Sequence, residues 1–208
     1  MPKTSSLMSR VLLASLMAMS VLGPAWAQQS PTVRIRGTIE AVDGPLLTVK
    51  SREGTEIKVR LTDNVAVFGV AKTTISEIKP GSYIGVSAMP EPDGTQRALA
   101  VQIFPESQRG VAEGFRPWDL RPNSTMTNAT VAETVAGTDG EIILVKYKDG
   151  GKKVLVPPDT PIVSFVAGDR SELKPGARII IFSATRKEDG TLEAARVNVG
   201  RDGITPPM

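Results

Sequence analysis

Three pairs of aspartates, Asp43 with Asp139, Asp63 with Asp159 and Asp93 with Asp189, are the first candidates for chemistry in this chain. Paired carboxylates serve general acid–base catalysis or hold Ca²⁺ through hard oxygen ligands. Each of these six stands beside Gly, Pro, Asn or Thr at an expected turn, where Asp is favoured because its side chain bonds the nearby backbone. They therefore read as turn residues. The chain contains neither Cys nor His, which removes disulfides, thiolate and imidazole metal ligands, the Cys nucleophile and every His-based proton relay. There is no phosphate loop, nucleophile elbow or metal-spaced cluster, so no cofactor and no metal site is expected. Asn123-Ser124-Thr125 and Asn128-Ala129-Thr130 match a glycosylation sequon but read as plain loop residues.

Two other groups of residues suit binding. Arg34, Arg36, Lys50, Arg52, Lys58 and Arg60 occupy the polar positions of the first strands, answered later by Lys146, Lys148, Lys152 and Lys153. Such a cationic stripe suits an acidic polysaccharide, a lipid headgroup or a nucleic-acid backbone. The alternative is a solvated strand face whose charges discourage edge-to-edge pairing, with Glu40, Glu53 and Glu56 interleaved. Single-stranded nucleic acid needs aromatic platforms for its bases, and only Tyr147 stands in these strands, so nucleic acid is not an expected partner. The second group is Phe115, Arg116 and Trp118. Clustered aromatic and Arg side chains favour a protein or sugar contact, unless Trp118 simply fills a groove between domains. The candidate ligand-binding set is thus Phe115, Arg116, Trp118, Arg34, Arg36, Lys58 and Arg60.

The elements that must position these residues are strands. Val33, Ile35, Ile39 and Ala41 alternate with Arg34, Arg36, Thr38 and Glu40 before the turn signal Asp43-Gly44, which is the period of a strand with one buried face. Leu47 and Val49 carry a second strand, and Ile57, Val59 and Leu61 a third. Ile84, Val86 and Ala88 follow Pro80-Gly81 as a fourth, and Leu99, Val101 and Ile103 follow Asp93-Gly94 as a fifth. Thr74 with Glu77, and Asp169 with Glu172, have the spacing of a capped helix start, and Pro-Gly soon afterwards limits each to a single turn.

The plan is written twice. Ser76-Glu77-Ile78-Lys79-Pro80-Gly81 returns as Ser171-Glu172-Leu173-Lys174-Pro175-Gly176, and Asp93-Gly94-Thr95 as Asp189-Gly190-Thr191. Later strands are expected over Val131 to Val135, Ile142 to Tyr147, Val154 to Val156, Ile179 to Phe182 and Ala195 to Val199. Pro157, Pro158 and Pro161 cut the third of these short, since Pro cannot donate to a ladder. Collinear recurrence of this kind marks an internal duplication, with one unit over 32–105 and the other over 126–201. Five strands with one helical turn between the third and fourth is the order of an OB-fold, a small barrel. The expected class is all-β, two tandem five-stranded OB-like barrels, with a pair of open sandwiches as the alternative. A unit of this size buries only about 60% of its chain surface, so the two units are expected to pack together. The connector 106–125 carries Pro117, Trp118 and Pro122 and lacks the composition of a flexible linker, so it is expected to dock on a domain. Residues 202–208 form a tail.

Upstream, Lys3 and Arg10, the apolar run Val11 to Leu22 and the small-x-small sequence Ala25-Trp26-Ala27 have the layout of a secretory leader over 1–27, with cleavage expected after Ala27. About 12 apolar residues reach roughly 18 Å as a helix, short of a hydrocarbon core of about 30 Å, so no membrane span is expected after cleavage. Of the 25 Lys and Arg, two lie in this segment, leaving 23 against 22 Asp and Glu and a net charge of +1. That balance draws neither nucleic acid nor membrane.

Gly37-x-Ile39, Leu47-Thr48-Val49, Pro80-Gly81 and Asp93-Gly94-Thr95, together with the connector's Pro117-Trp118-Asp119-Leu120 and Ser124-Thr125-Met126-Thr127, resemble a family of exported bacterial proteins built from a repeated five-stranded domain of unknown function. The resemblance implies an OB-like fold and an envelope location, and it carries no activity. Some similar sequences bear a metal-transporter permease label, which this sequence contradicts, because a permease needs several spanning helices. The expected function is a non-catalytic periplasmic or secreted binding or scaffold protein. Its partner would be an envelope protein or an anionic envelope polymer, met through the connector and the second and third strands. The alternatives are a glycan hydrolase working with carboxylates alone and a periplasmic accessory to metal transport.

Overall fold

The computed structural model describes residues 32–208, so the leader expected over 1–27 lies outside the described residues. Among the described residues the chain forms twelve strands: β1 (Thr32–Asp43), β2 (Leu46–Ser51), β3 (Glu56–Lys72), β4 (Tyr83–Pro90), β5 (Gln96–Ile103), β6 (Gly114–Pro117), β7 (Thr125–Gly137), β8 (Gly140–Tyr147), β9 (Gly150–Val156), β10 (Ile162–Ala167), β11 (Arg178–Arg186) and β12 (Leu192–Gly200). The protein is all-β, and no helix among these residues is long and apolar enough to cross a membrane.

Alternation places the core where the sequence puts its apolar residues. Ile35 and Ile39 of β1, Leu47 and Val49 of β2, and Val59 and Leu61 of β3 are all buried. Ala41 departs from the expected pattern. The pairing of β1 with β2 slips between Ile39 and Ala41, and because side chains alternate strictly, a one-residue slip turns the following residues to the opposite face. Ala41 is exposed as a result. Gly37 lies where β1 presses on β2, and a Cβ there would collide with the Lys50 carbonyl.

Two closed circuits of five strands organise the molecule. In the first, β1 pairs with β2, β2 with β3, β3 in parallel with β12, β12 with β11, and β11 back with β1. In the second, β7 pairs with β8, β8 with β9, β9 in parallel with β5, β5 with β4, and β4 back with β7. Closure without free edges settles the barrel-or-sandwich alternative in favour of barrels. The provenance of the strands, however, differs from the expected arrangement, in which 32–105 and 126–201 each close alone. Each barrel takes three strands from one of those segments and two from the other. The buried clusters follow the same division: Ile35, Val49 and Val59 pack with Ile179, Ile181 and Val197, while Val131, Ile143 and Val154 pack with Ile84, Val86 and Val101.

The length of β3 gives the physical reason. Seventeen residues at about 3.3 Å each extend roughly 55 Å, well past the barrel that the first part of the strand closes. The fourth and fifth strands are thereby delivered to the neighbouring barrel. In the second half Pro157, Pro158 and Pro161 break the same run into β9 and β10, as expected from their missing donors. β10 then lies between the barrels, antiparallel to β3 and parallel to β5.

The two expected helical turns are single 3₁₀ turns, Ile75–Glu77 and Arg170–Glu172. Each is followed by an apolar plug, and each plug enters the barrel that its own following strands help to close: Leu173 joins the β1–β3 cluster and Ile78 the β7–β9 cluster. The caps differ in spite of their common spacing. Asp169 accepts from Ser171 N at 2.8 Å while Glu172 accepts from Asp169 N at 2.9 Å, completing a capping box. Thr74 makes no cap bond and meets the Ser76 hydroxyl at 2.7 Å instead.

Candidate functional site

The connector docks, as its composition suggests, and its docking builds the walls of a cavity. β6 adds to β7 through Phe115↔Thr127 and Arg116↔Met126. Beyond it Trp118 N donates to Ser124 O at 2.8 Å, and the Ser124 hydroxyl donates to Arg121 O at 2.7 Å with Trp118 O an alternative acceptor at 3.1 Å. This tight loop aims the indole back at the barrels. Arg34 of β1 lies 3.7 Å from the Trp118 ring centre, a stacked cation–π contact. Asp119 then clamps the stack, pairing with Arg34 at 2.6 Å and Arg36 at 2.7 Å. Burial opposes ionisation of Asp119, but hydrogen bonds from Arg36 and Arg34 outweigh it and hold its pKa down to about 2.

Between the barrels lies a cavity of ≈ 650 Å³, bounded by β1, β3, β5, β6, β7, β10, β11 and β12 and by the connector. Phe104, Phe165, Phe182 and Trp118 of its lining form a row of rings, which Tyr83 extends behind Phe104. Tyr83 meets Phe104 at 5.3 Å between centres, Phe104 meets Phe165 edge-on at 5.6 Å, Phe165 meets Phe182 at 6.3 Å, and Phe182 meets Trp118 at 6.3 Å. Five of the chain's nine aromatic residues therefore stand in one continuous line across the junction. At the Tyr83 end the phenol donates to Val111 O at 3.1 Å. Burial, helped by the negative charge of Glu113, pushes the Tyr83 pKa up to about 12.

The lining also carries polar side chains. Gln102, Gln108 and Asn128 are each only 3% exposed. Gln102 and Asn128 flank Gly85 on neighbouring strands and fold over its bare backbone: a Cβ at Gly85 would stand 2.6 Å from Gln102 Nε2 and 3.0 Å from Asn128 Oδ1. Asn128 Nδ2 donates to Val111 O and Arg196 Nη1 donates to Gln108 Oε1 at 3.3 Å. Yet Gln102 Oε1, Gln108 Nε2 and Asn128 Oδ1 keep no partner among the described residues. A buried polar atom left unpaired costs about 1–3 kcal/mol, so these groups leave the wall short of hydrogen bonds.

Of the residues singled out from the sequence, Arg34, Arg116 and Trp118 come together at this cavity. The other four stand elsewhere. Phe115 is 40% exposed on β6, with Lys152 Nζ 4.4 Å from its ring centre. Lys58 and Arg60 are exposed on β3. Arg36 serves the chain itself: besides Asp119, it donates to the Met208 main-chain oxygen at 2.6 Å. Arg52 similarly reaches Pro206 O at 3.0 Å, so two members of the cationic stripe fasten residues 202–208, joined by Arg178, which reaches Gly203 O at 2.6 Å. Met208 is 1% exposed, packed with Ala100, Met126 and Ile180.

The aspartate pairs lie outside the cavity lining. Asp93 and Asp189 accept from Thr95 N and Thr191 N at 2.9 Å and from the same residues' hydroxyls. These turn bonds lower both carboxyl pKa values. Among the described residues no group of three or more acidic side chains is placed to hold a metal ion.

Gln102, Gln108, Asn128, Arg196 and the three Phe of the wall were not legible as site residues. Each is a single residue on an outward strand position or in the connector, and its significance arises only when a second barrel covers it. The one available signal was Gln102, a long polar side chain between the apolar Val101 and Ile103. No family model, curated protein or solved structure matches this chain.

Proposed function

We propose that this chain is an exported, non-catalytic binding protein that holds a small molecule in the cavity between its two barrels. The observation that carries the reading is the combination of a ≈ 650 Å³ cavity, an aromatic row and the polar side chains Gln102, Gln108 and Asn128 in its lining. Ligand sites are commonly mostly apolar cavities of about 300–1,000 Å³ with a few fixed polar groups, often between domains. Export rests on the leader pattern of residues 1–27. The fold's origin belongs to the same proposal: an OB-like unit was duplicated, and the copies exchanged their fourth and fifth strands, so that the cavity belongs to both.

The reading keeps the class expected from the sequence and moves the contact from the open strand faces to the junction. A carboxylate-only hydrolase would need two facing carboxyls about 5 to 10 Å apart, and Glu193 is the one acid on the cavity wall. The neutral dye N-phenyl-1-naphthylamine tests the reading, since its emission rises when it enters an apolar site. The purified protein should bind it saturably at one site, and Ala195→Trp, which places a large ring at an exposed position of the cavity wall, should weaken binding about tenfold or more with an unchanged melting temperature. Absence of saturable binding, or an A195W protein that binds as before, contradicts it.

A further inference from the structure

The wall carries four charged groups, and their partners leave an imbalance. Arg34 is answered by Asp119, and Glu193 by Lys187 at 2.6 Å. Arg116 and Arg196 also line the cavity, and among the described residues neither has a carboxylate within 4.0 Å. Arg116 Nη1 donates to the Ala112 carbonyl at 2.8 Å, with its guanidinium 5.6 Å from the Trp118 ring centre. Arg196 reaches only the Gln108 amide, with its guanidinium 4.9 Å from the Phe68 ring centre. A guanidinium stays charged at any ordinary pH, and a partly buried cation without a counter-charge is costly. Two cations lining one cavity therefore suit an anion.

We infer that the occupant is an amphipathic anion, with a carboxylate- or sulfonate-class group set against Arg116 and Arg196 and a flat apolar body on the Phe104–Phe165–Phe182 row. The inference rests on the reading of this cavity as a ligand site. The anion converts guanidinium N–H groups that lack a carboxylate into charge-assisted hydrogen bonds, and the body stacks edge and face on the rings. A purely aliphatic ligand would leave the cations unanswered.

Two dyes with the same aromatic body separate the claims. 1-Anilinonaphthalene-8-sulfonate carries an anion and an N–H, whereas N-phenyl-1-naphthylamine carries the N–H alone. The protein should bind the sulfonate at least about tenfold more tightly than the neutral dye, and that preference should shrink as salt is added. Arg116→Gln and Arg196→Gln should each reduce sulfonate binding more than neutral-dye binding, so that the preference shrinks. Arg196→Lys, which keeps the charge, should retain most of the preference, and unchanged circular dichroism melts establish that the variants are folded. Equal affinity for the two dyes, or a preference unaffected by both Gln variants, overturns the anion while leaving the cavity a binding site. Failure of both dyes to bind removes the site, and the anion with it.

Discussion

Trp118 is held by charge as much as by packing. The indole takes Arg34 on its face, and Asp119, the next residue, pins Arg34 and Arg36 together. The Asp119 pKa of about 2 lies below the unfolded value of about 3.9. A depressed folded pKa contributes stability that is complete above the unfolded value and disappears as pH falls through the folded one. Asp119→Asn should therefore lower stability by about 1 kcal/mol near neutral pH, the pKa difference being discounted because the side chain is half exposed. The deficit should fade between about pH 4 and pH 2, which paired melting curves of the two proteins would show. The residues of this clamp were visible in the sequence but their roles were not. Arg34 and Arg36 read as a ligand-facing stripe because their partner Asp119 lies more than eighty positions away, and nothing in local alternation marks an outward Arg as already paired.

At the scale of elements, sequence spacing proves necessary but insufficient. Thr74-x-x-Glu77 and Asp169-x-x-Glu172 are equivalent as patterns, and both produce one 3₁₀ turn. Only the second closes its capping box, and Arg201 reinforces it by pairing with Glu172 at 2.8 Å. Asp169→Ala should accordingly lower the melting temperature by a few degrees, and Thr74→Ala should leave it within error. Equal effects of the two would contradict the assignment. Strand positions were legible because period-two alternation is a local property, and the proline break after Val156 was legible because it follows from a missing donor. The outward turn of Ala41 was not, because a bulge depends on how the partner strand fits. The extension of β3 to Lys72 was likewise hidden, since its outer half is stabilised by β10 and β12 rather than by its own pattern.

For the whole molecule the decisive fact is which strands close which barrel. Two segments with the same alternating pattern offer interchangeable fourth and fifth strands, so pattern alone fixes the order of a barrel without fixing its owner. The long β3 decides the matter by carrying the chain across the junction, and that crossing brings the Phe row, the buried amides and the connector to a common cavity. Because the chain has no native Cys, paired cysteines report the closure without interference. Arg60 of β3 is the partner of Glu193 of β12; were each segment to close on itself, the equivalent residue beside Arg60 would be Arg97. Cα atoms about 4.4–6.8 Å apart can be bridged and distant ones cannot. The account predicts that the monomeric Arg60→Cys, Glu193→Cys protein forms an internal disulfide on mild oxidation and that the Arg60→Cys, Arg97→Cys protein does not. An internal disulfide in the second protein and none in the first would contradict this closure of the barrels and the cavity built upon it.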